Sequence, residues 1–238
     1  MKKYKLTDET KQIIGRTLHR IIAVQDFSNV KAGDKGGWIE KESNLCHYDN
    51  CKVGENAQVY DDARVIGCAL VYGNAQVYSN ALVCGNAQVF DTARVTGTAQ
   101  VNGAARVYGN SAVCEDAQVH ENAQVYGNAQ IVGNAQVYGR AQLCGSAQVC
   151  GDAQVCGDAR VCGSATVCED AIVSSNRDYI VFKNWWSSGR YFTWTRSNNK
   201  WKVGCFFGTG EELIRKAYCD SEESGREYER IVQYVEGI

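Results

Sequence analysis

From residue 53 to residue 173 the chain places an aliphatic residue at every sixth position without a slip: Val53, Val59, Val65 and Val71, through Val161 and Val167 to Val173. Two residues before each aliphatic position from Val59 onward stands an alanine, Ala57 to Ala171, with Ser111 the one replacement. A six-residue unit cannot bury an apolar face alone. Self-similarity at a short fixed period therefore specifies a solenoid, in which stacked units share one continuous core.

Residues two apart share a side of an extended segment, so Ala75 and Val77 face inward while Gln76 and Tyr78 face outward. Pairs such as Gly73-Asn74 and Gly127-Asn128 supply the positive-φ tolerance and local hydrogen bonding of a tight corner. Three strand-corner units close a triangular coil of eighteen residues, and such coils stack at about 4.8 Å into three parallel sheets. Twenty units predict about six to seven coils.

The V-x-G-N-A-x register resembles the hexapeptide repeat of left-handed parallel β-helix proteins, although here Gly follows the aliphatic residue by two positions, not one. That resemblance implies the left hand; periodicity does not, since ordinary parallel crossovers are right-handed. Ahead of the repeat, Leu18-His19-Arg20-Ile21-Ile22-Ala23-Val24-Gln25-Asp26-Phe27 and the stretch from Val30 to Trp38 resemble the N-terminal leader of the YdcK-like family of bacterial and prophage hexapeptide-repeat proteins. The resemblance covers about residues 1–60 and the repeat, and it implies a fold without an established activity.

The expected architecture is mainly β. An N-terminal β-rich cap spans residues 1–52, the left-handed parallel β-helix spans residues 53–173, and a small α+β domain spans residues 174–238. Residues 4–14 and 17–24 read as strands about a turn near Gly15, followed by a Gly-rich run from Lys31 to Glu40. The first coil of a solenoid exposes sheet edges, so a cap of different sequence is physically expected. After Val173, residues 179–182, 190–196 and 200–207 predict three strands, the last two forming a hairpin across Ser197-Asn198-Asn199. Two helices follow, because Thr209 to Glu212 and Ser224 to Glu227 each match the capping-box spacing ahead of apolar periodicity.

Charge narrows the function. Residues 53–173 contain no Lys and five Arg against eleven acidic residues, whereas residues 1–52 carry ten basic and seven acidic and residues 174–238 carry ten basic and nine acidic. The longest surface is thus acidic and repels phosphate, which argues against duplex DNA as a partner. No apolar run approaches a membrane span, and Met1-Lys2-Lys3 leads into polar sequence instead of an apolar leader. The expected setting is the cytoplasm of a bacterium or phage-infected host. Of the twelve cysteines, seven (Cys84, Cys114, Cys144, Cys150, Cys156, Cys162 and Cys168) follow the core aliphatic residue, where other units carry Tyr. They read as small apolar fillers of the outward columns. Cys144 over Cys162 and Cys150 over Cys168 nevertheless fall within the Cα range of a disulfide. No Cys-x-x-Cys or neighbouring His completes a four-ligand metal site, and no cofactor is expected.

Many left-handed β-helix proteins are acyltransferases, and that resemblance implies a catalytic His beside an interrupted coil. Here no insertion breaks the repeat, and His120, the solenoid's one histidine, has Asn102 and Tyr138 as column neighbours and no orienting carboxylate. No catalytic residue is assigned, and a non-enzymatic scaffold or interaction protein is the favoured reading. Two sets of residues are candidate sites. Tyr72, Phe90, Tyr108 and Tyr126 lie eighteen residues apart and predict a ladder of rings, flanked by Leu70, Gln88, Arg106 and Gln124, that suits self-association into a dimer or trimer. Trp185, Trp186, Arg190, Trp194, Arg196 and Trp201 form an aromatic-arginine cluster that serves either as the core of the C-terminal domain or as a nucleotide or protein site. A phage-type protein sequestering a nucleotide signal is accordingly the alternative, and acyl transfer stands third.

Overall fold

The computed structural model describes residues 2–185 and 189–237. Strands β1 (Tyr4–Ile13) and β2 (Arg16–Ala23) form an antiparallel hairpin. Its turn residues Ile14 and Gly15 both have positive φ, 48° and 75°, the backbone sign that matches the twist of a two-residue hairpin. β2 pairs antiparallel with β3 (Lys35–Ile39), and β3 pairs in parallel with the solenoid at Trp38↔Gln58 and Ile39↔Val59. Glycine is required at this junction, because a Cβ on Gly37 would lie 2.7 Å from the Ala57 carbonyl oxygen.

From β4 (Lys52–Val53) to β24 (Ile172–Val173), twenty-one two-residue strands wind through three parallel faces. The first face carries Val59, Val77 and Val95 onward and continues the hairpin in one ten-stranded sheet. The second carries Val65 to Val173, and the third Val53 to Val161. Every strand pairs with the one eighteen residues on, as in Gln88↔Arg106, Val89↔Val107 and Gln100↔Gln118. The Ala and Val positions fill the interior completely. Ser111 is accommodated there because its hydroxyl donates to the Tyr108 carbonyl at 2.8 Å, which satisfies the buried polar group.

Across each face, outward residues donate backbone N–H groups to the next coil: Gln58 N to Ala75 O at 2.9 Å and Tyr60 N to Val77 O at 3.1 Å. Corners turn at the residue two beyond each core aliphatic, with φ of 70° at Gly73 and 59° at Asp91. At many coils this left-handed position is acidic, and the carboxylate then bonds the corner N–H of the coil above. Gly73 N donates to Glu55 at 2.9 Å, Gly109 N to Asp91 at 3.0 Å, Gly133 N to Glu115 at 2.9 Å and Gly139 N to Glu121 at 2.8 Å. A charge-assisted bond to an otherwise unpaired N–H offsets the cost of a side chain at positive φ.

The solenoid begins earlier than the hexad suggests. Ile39 and Leu45 are six residues apart, and they occupy the first and second faces through Ile39↔Val59 and the bridge Leu45↔Val65. The solenoid therefore has about eight turns, not six to seven. Eight residues separate Leu45 from Val53, and this two-residue excess disguises the turn. Its carbonyls lack a preceding coil, and side-chain donors take that place. The Lys3 ammonium donates to Cys51 O at 2.9 Å and Asp49 O at 2.6 Å, and the Tyr4 hydroxyl donates to Leu45 O at 2.7 Å. One turn on, the Asn44 side-chain amide substitutes for a ladder N–H by donating to Ala63 O at 2.9 Å.

At the other end, β25 (Tyr179–Lys183), β26 (Tyr191–Thr195), β27 (Lys200–Val203) and β28 (Phe206–Gly208) form an antiparallel sheet. The expected third strand is thus two, divided at Gly204, whose φ of 56° makes a turn. The sheet closes the last coil. Arg160 N, Thr166 N and Ile172 N, one on each face, donate to Asn176 Oδ1 at 2.7 Å, Thr193 Oγ1 at 2.9 Å and Ser197 Oγ at 2.7 Å. Helices α1 (Gly210–Asp220) and α2 (Glu222–Glu236) pack on its far side. Thr209 and Glu212 form the expected capping box. For α2 the expected cap at Ser224 is replaced by Ser221, whose hydroxyl accepts from Ser224 N at 3.1 Å. Starting there places Glu222 and Glu223 in the first turn, where the helix dipole favours negative charge.

Candidate functional site

The third face carries the ring column. Strands Leu70–Val71, Gln88–Val89, Arg106–Val107 and Gln124–Val125 are in register, so the residue after each core valine falls at the same height on its coil. Centroids are 4.9 Å apart for Tyr72 and Phe90, 4.8 Å for Phe90 and Tyr108, and 5.1 Å for Tyr108 and Tyr126, with ring planes within 8° of parallel. The coil rise is close to the separation that stacked aromatics favour, so the backbone pre-sets the stack. All four rings are half-buried. Arg106 lies across the column, its guanidinium 5.4 Å from the Phe90 centroid and 5.5 Å from that of Tyr108. Burial pushes the Tyr72 and Tyr108 hydroxyls above the usual tyrosine range.

Above Tyr72 the column ends at Gly54, and below Tyr126 it passes into Cys144 and Cys162. These two cysteines are joined in a disulfide across adjacent coils, with Cα atoms 4.6 Å apart. The expectation that both act as simple fillers is thereby corrected: the spacing that stacks rings also brings thiols to bonding distance. Shorter stacks occur on the other faces, Tyr60 with Tyr78 at 5.0 Å and His120 with Tyr138 at 5.0 Å. His120 Nδ1 is 4.0 Å from Glu121 Oε1, beyond hydrogen-bond reach, and the other carboxylate oxygen is engaged by Gly139 N.

The C-terminal cluster is dispersed by the fold. Trp194 and Trp201 are core residues, Trp201 fully buried, and their indole N–H groups donate to Asn199 at 2.8 Å and Glu236 at 3.1 Å. Trp185 is 84% exposed, Arg190 and Arg196 are at the surface, and the Arg196 guanidinium lies 5.9 Å from the Trp194 ring centroid. Trp186 lies outside the described residues. Strand alternation holds: Phe192 and Trp194 face the helices, while Thr193 is buried toward the last coil, where it accepts from Thr166 N.

A cavity of about 270 Å³ beneath the N-terminal hairpin escapes sequence reasoning. Tyr4, Ile21, Phe27, Val30 and Val53 line it, with Lys52 at its edge. Burial, and secondarily Lys3, hold the Lys52 ammonium below the usual lysine range. No local pattern signals this space, because it forms only where the hairpin lies across the first turn. Among the described residues no helix is long and apolar enough to cross a membrane, and no group of three or more His, Cys, Asp or Glu side chains is placed to hold a metal ion.

Uniform eighteen-residue register, an Ala/Val interior and stacked outward columns define a parallel β-solenoid protein. Residues 57–73, 123–139 and 153–169 match the family described as YdcK beta solenoid repeat. The chain is 36% identical over 61 residues to a protein named uncharacterized acetyltransferase YdcK from Escherichia coli (strain K12), a match covering 22% of this chain and 19% of that relative. The chain folds as a parallel β-solenoid and resembles the YdcK family over these segments. It spans about a fifth of the length of the relative it matches.

Proposed function

We propose that this chain is a non-enzymatic interaction protein, a rigid spacer that self-associates through its third face and carries the C-terminal domain as a recognition head. The observation that carries the reading is the four-ring column from Tyr72 to Tyr126, half-buried and continuous over four coils, with one charge that lies against the rings themselves. A flat, stiff apolar strip of this kind loses little conformational entropy when a second copy covers it. Two-fold or three-fold packing of identical columns buries the rings against one another. Tyr108→Glu places an anion in the middle of that contact. It is expected to convert a dimer or trimer into a monomer by size-exclusion chromatography with light scattering, and an unchanged mass would remove the ladder from consideration.

Acyl transfer has one point in its favour, the printed name of the E. coli relative. Against it, His120 lacks a hydrogen-bonded carboxylate to hold its tautomer, which a general base requires. Nucleotide capture at the C-terminal cluster is weakened in turn by the burial of Trp194 and Trp201, whose indole edges are already spent on Asn199 and Glu236.

A further inference from the structure

The coil step that holds the Cys144–Cys162 disulfide repeats the same arrangement on the first face with a second cysteine pair. Cys144 and Cys162 follow the paired residues Leu143↔Val161, and Cys150 and Cys168 follow the paired residues Val149↔Val167. The ladder bond of Cys144 N to Val161 O at 3.0 Å has its counterpart in Cys150 N to Val167 O at 3.0 Å. Equal register and equal ladder bonds set the second pair at the spacing of adjacent strands, about 4.8 Å, which lies inside the Cα range a disulfide spans. Yet Cys150 and Cys168 are free thiols.

Their surroundings differ in a way that assigns roles. Cys168 is 4% exposed, whereas Cys150 is partly open to solvent. The neighbouring Cys168 thiol holds the Cys150 thiol down, to about 7, against the opposing effect of burial, and Lys202 of the capping sheet adds to the lowering. The Cys150 side chain beside it, together with burial, pushes Cys168 up. One accessible thiolate backed by a buried thiol is the arrangement of an attacking and a resolving cysteine.

We infer that Cys150 and Cys168 form a thiol–disulfide exchange site that takes small disulfides such as oxidised glutathione and closes into a second cross-coil bond. The Cys150 thiolate attacks one sulfur of the oxidised glutathione, making a mixed disulfide and releasing one glutathione thiolate. Cys168 then loses its proton and attacks Cys150 Sγ, releasing the second glutathione. Two protein thiols are oxidised to one disulfide while one glutathione disulfide is reduced to two thiols. The product staples two of the three faces at a single coil step, directly where Thr193 accepts from the last turn at Thr166.

The full chain, with Cys144–Cys162 intact, is treated with oxidised glutathione, denatured, alkylated and weighed by intact mass spectrometry. The ten free thiols are expected to fall by two, with tandem mass spectrometry assigning the new bond to Cys150 and Cys168. Cys168→Ser is expected to stop at the first step and retain one glutathione on Cys150. Cys150→Ser is expected to leave Cys168 reduced and unmodified. A wild-type chain that keeps all ten thiols overturns the inference, as does a Cys168→Ser chain with no adduct on Cys150. Both serine variants are near-isosteric, and a circular dichroism spectrum matching the wild type confirms that each result is read on folded protein.

Discussion

The two ends of the solenoid meet opposite chemical demands. At the N-terminal end, carbonyls that would receive N–H groups from a preceding coil are left over, and Lys3 and Tyr4 supply donors to Cys51 and Leu45. At the C-terminal end the surplus groups are N–H, and Asn176, Thr193 and Ser197 supply one acceptor oxygen to each face. The caps therefore differ in side-chain chemistry because a stacked parallel coil is not symmetric end to end. Between them the interior needs no such help, since each coil satisfies its neighbour.

The largest test of this contrast is truncation. Deleting residues 1–45 uncovers the acceptor-rich end and the edge of the first face, and the product is expected to be insoluble or to polymerise, as judged by size-exclusion chromatography with light scattering. Removal of residues 174–238 as well leaves a donor-rich end free to meet an acceptor-rich one, and end-to-end filaments are expected by electron microscopy. A soluble monomer in both cases would break the comparison.

Point substitutions sharpen it. Lys3→Met removes donors from two carbonyls and Thr193→Val removes an acceptor from Thr166 N, each leaving buried or part-buried backbone groups unpaired. Each is expected to cost about 1–3 kcal/mol in urea unfolding, with Lys3→Met the larger because its donor is charged. A neutral result at either residue would remove it from the capping role.

Acid should loosen the C-terminal end by a smaller amount. Burial acts to raise the Asp178 carboxyl, but bonds from Ser174 Oγ, Ser174 N and Ser175 N outweigh it and hold the group below its ordinary 3.8. A carboxylate lowered by folding contributes stability that is fully present above its unfolded value and is lost as pH falls through the folded one. Unfolding scans of the wild type and Asp178→Asn are therefore expected to differ above about pH 4 and to converge below it. A difference that persists unchanged at lower pH would show that Asp178 does not act through its charge.

Sequence reading succeeds where a contact follows from counting. Eighteen-residue spacing places Tyr72 over Phe90 and Cys144 over Cys162 before any coordinate is consulted, because each column is a periodic function of residue number. It fails wherever counting is interrupted or the contact is non-local. Two extra residues before Val53 hide the turn of Ile39 and Leu45, and the Lys3, Thr193 and Ser197 bonds join segments whose meeting no local pattern announces. For the aromatic-arginine cluster, composition alone leaves core and binding roles open. Burial places Trp194 and Trp201, each on a strand of the C-terminal sheet, in the core and leaves Trp185, beyond the end of β25, exposed. The α2 start differs from the capping-box expectation at Ser224 because Ser221, three residues earlier, accepts from Ser224 N and opens the helix there.

Since the coil closes after three identical units and no insertion interrupts them, a residue's position around the prism behaves as an angle that advances by one third of a turn per hexapeptide. Adding a single unit between Phe90 and Tyr108 would keep the pattern of ladder bonds, with new partners across the insertion, and every buried valine. It would also swing everything downstream through one face, dividing the ring column in two and carrying the C-terminal domain around with it. Adding three units would restore the alignment and only lengthen the column. Orientation of one end relative to the other is thus set in discrete steps that leave the core sequence unchanged, so two such solenoids with the same repeat can point their C-terminal domains in different directions by a difference of six residues.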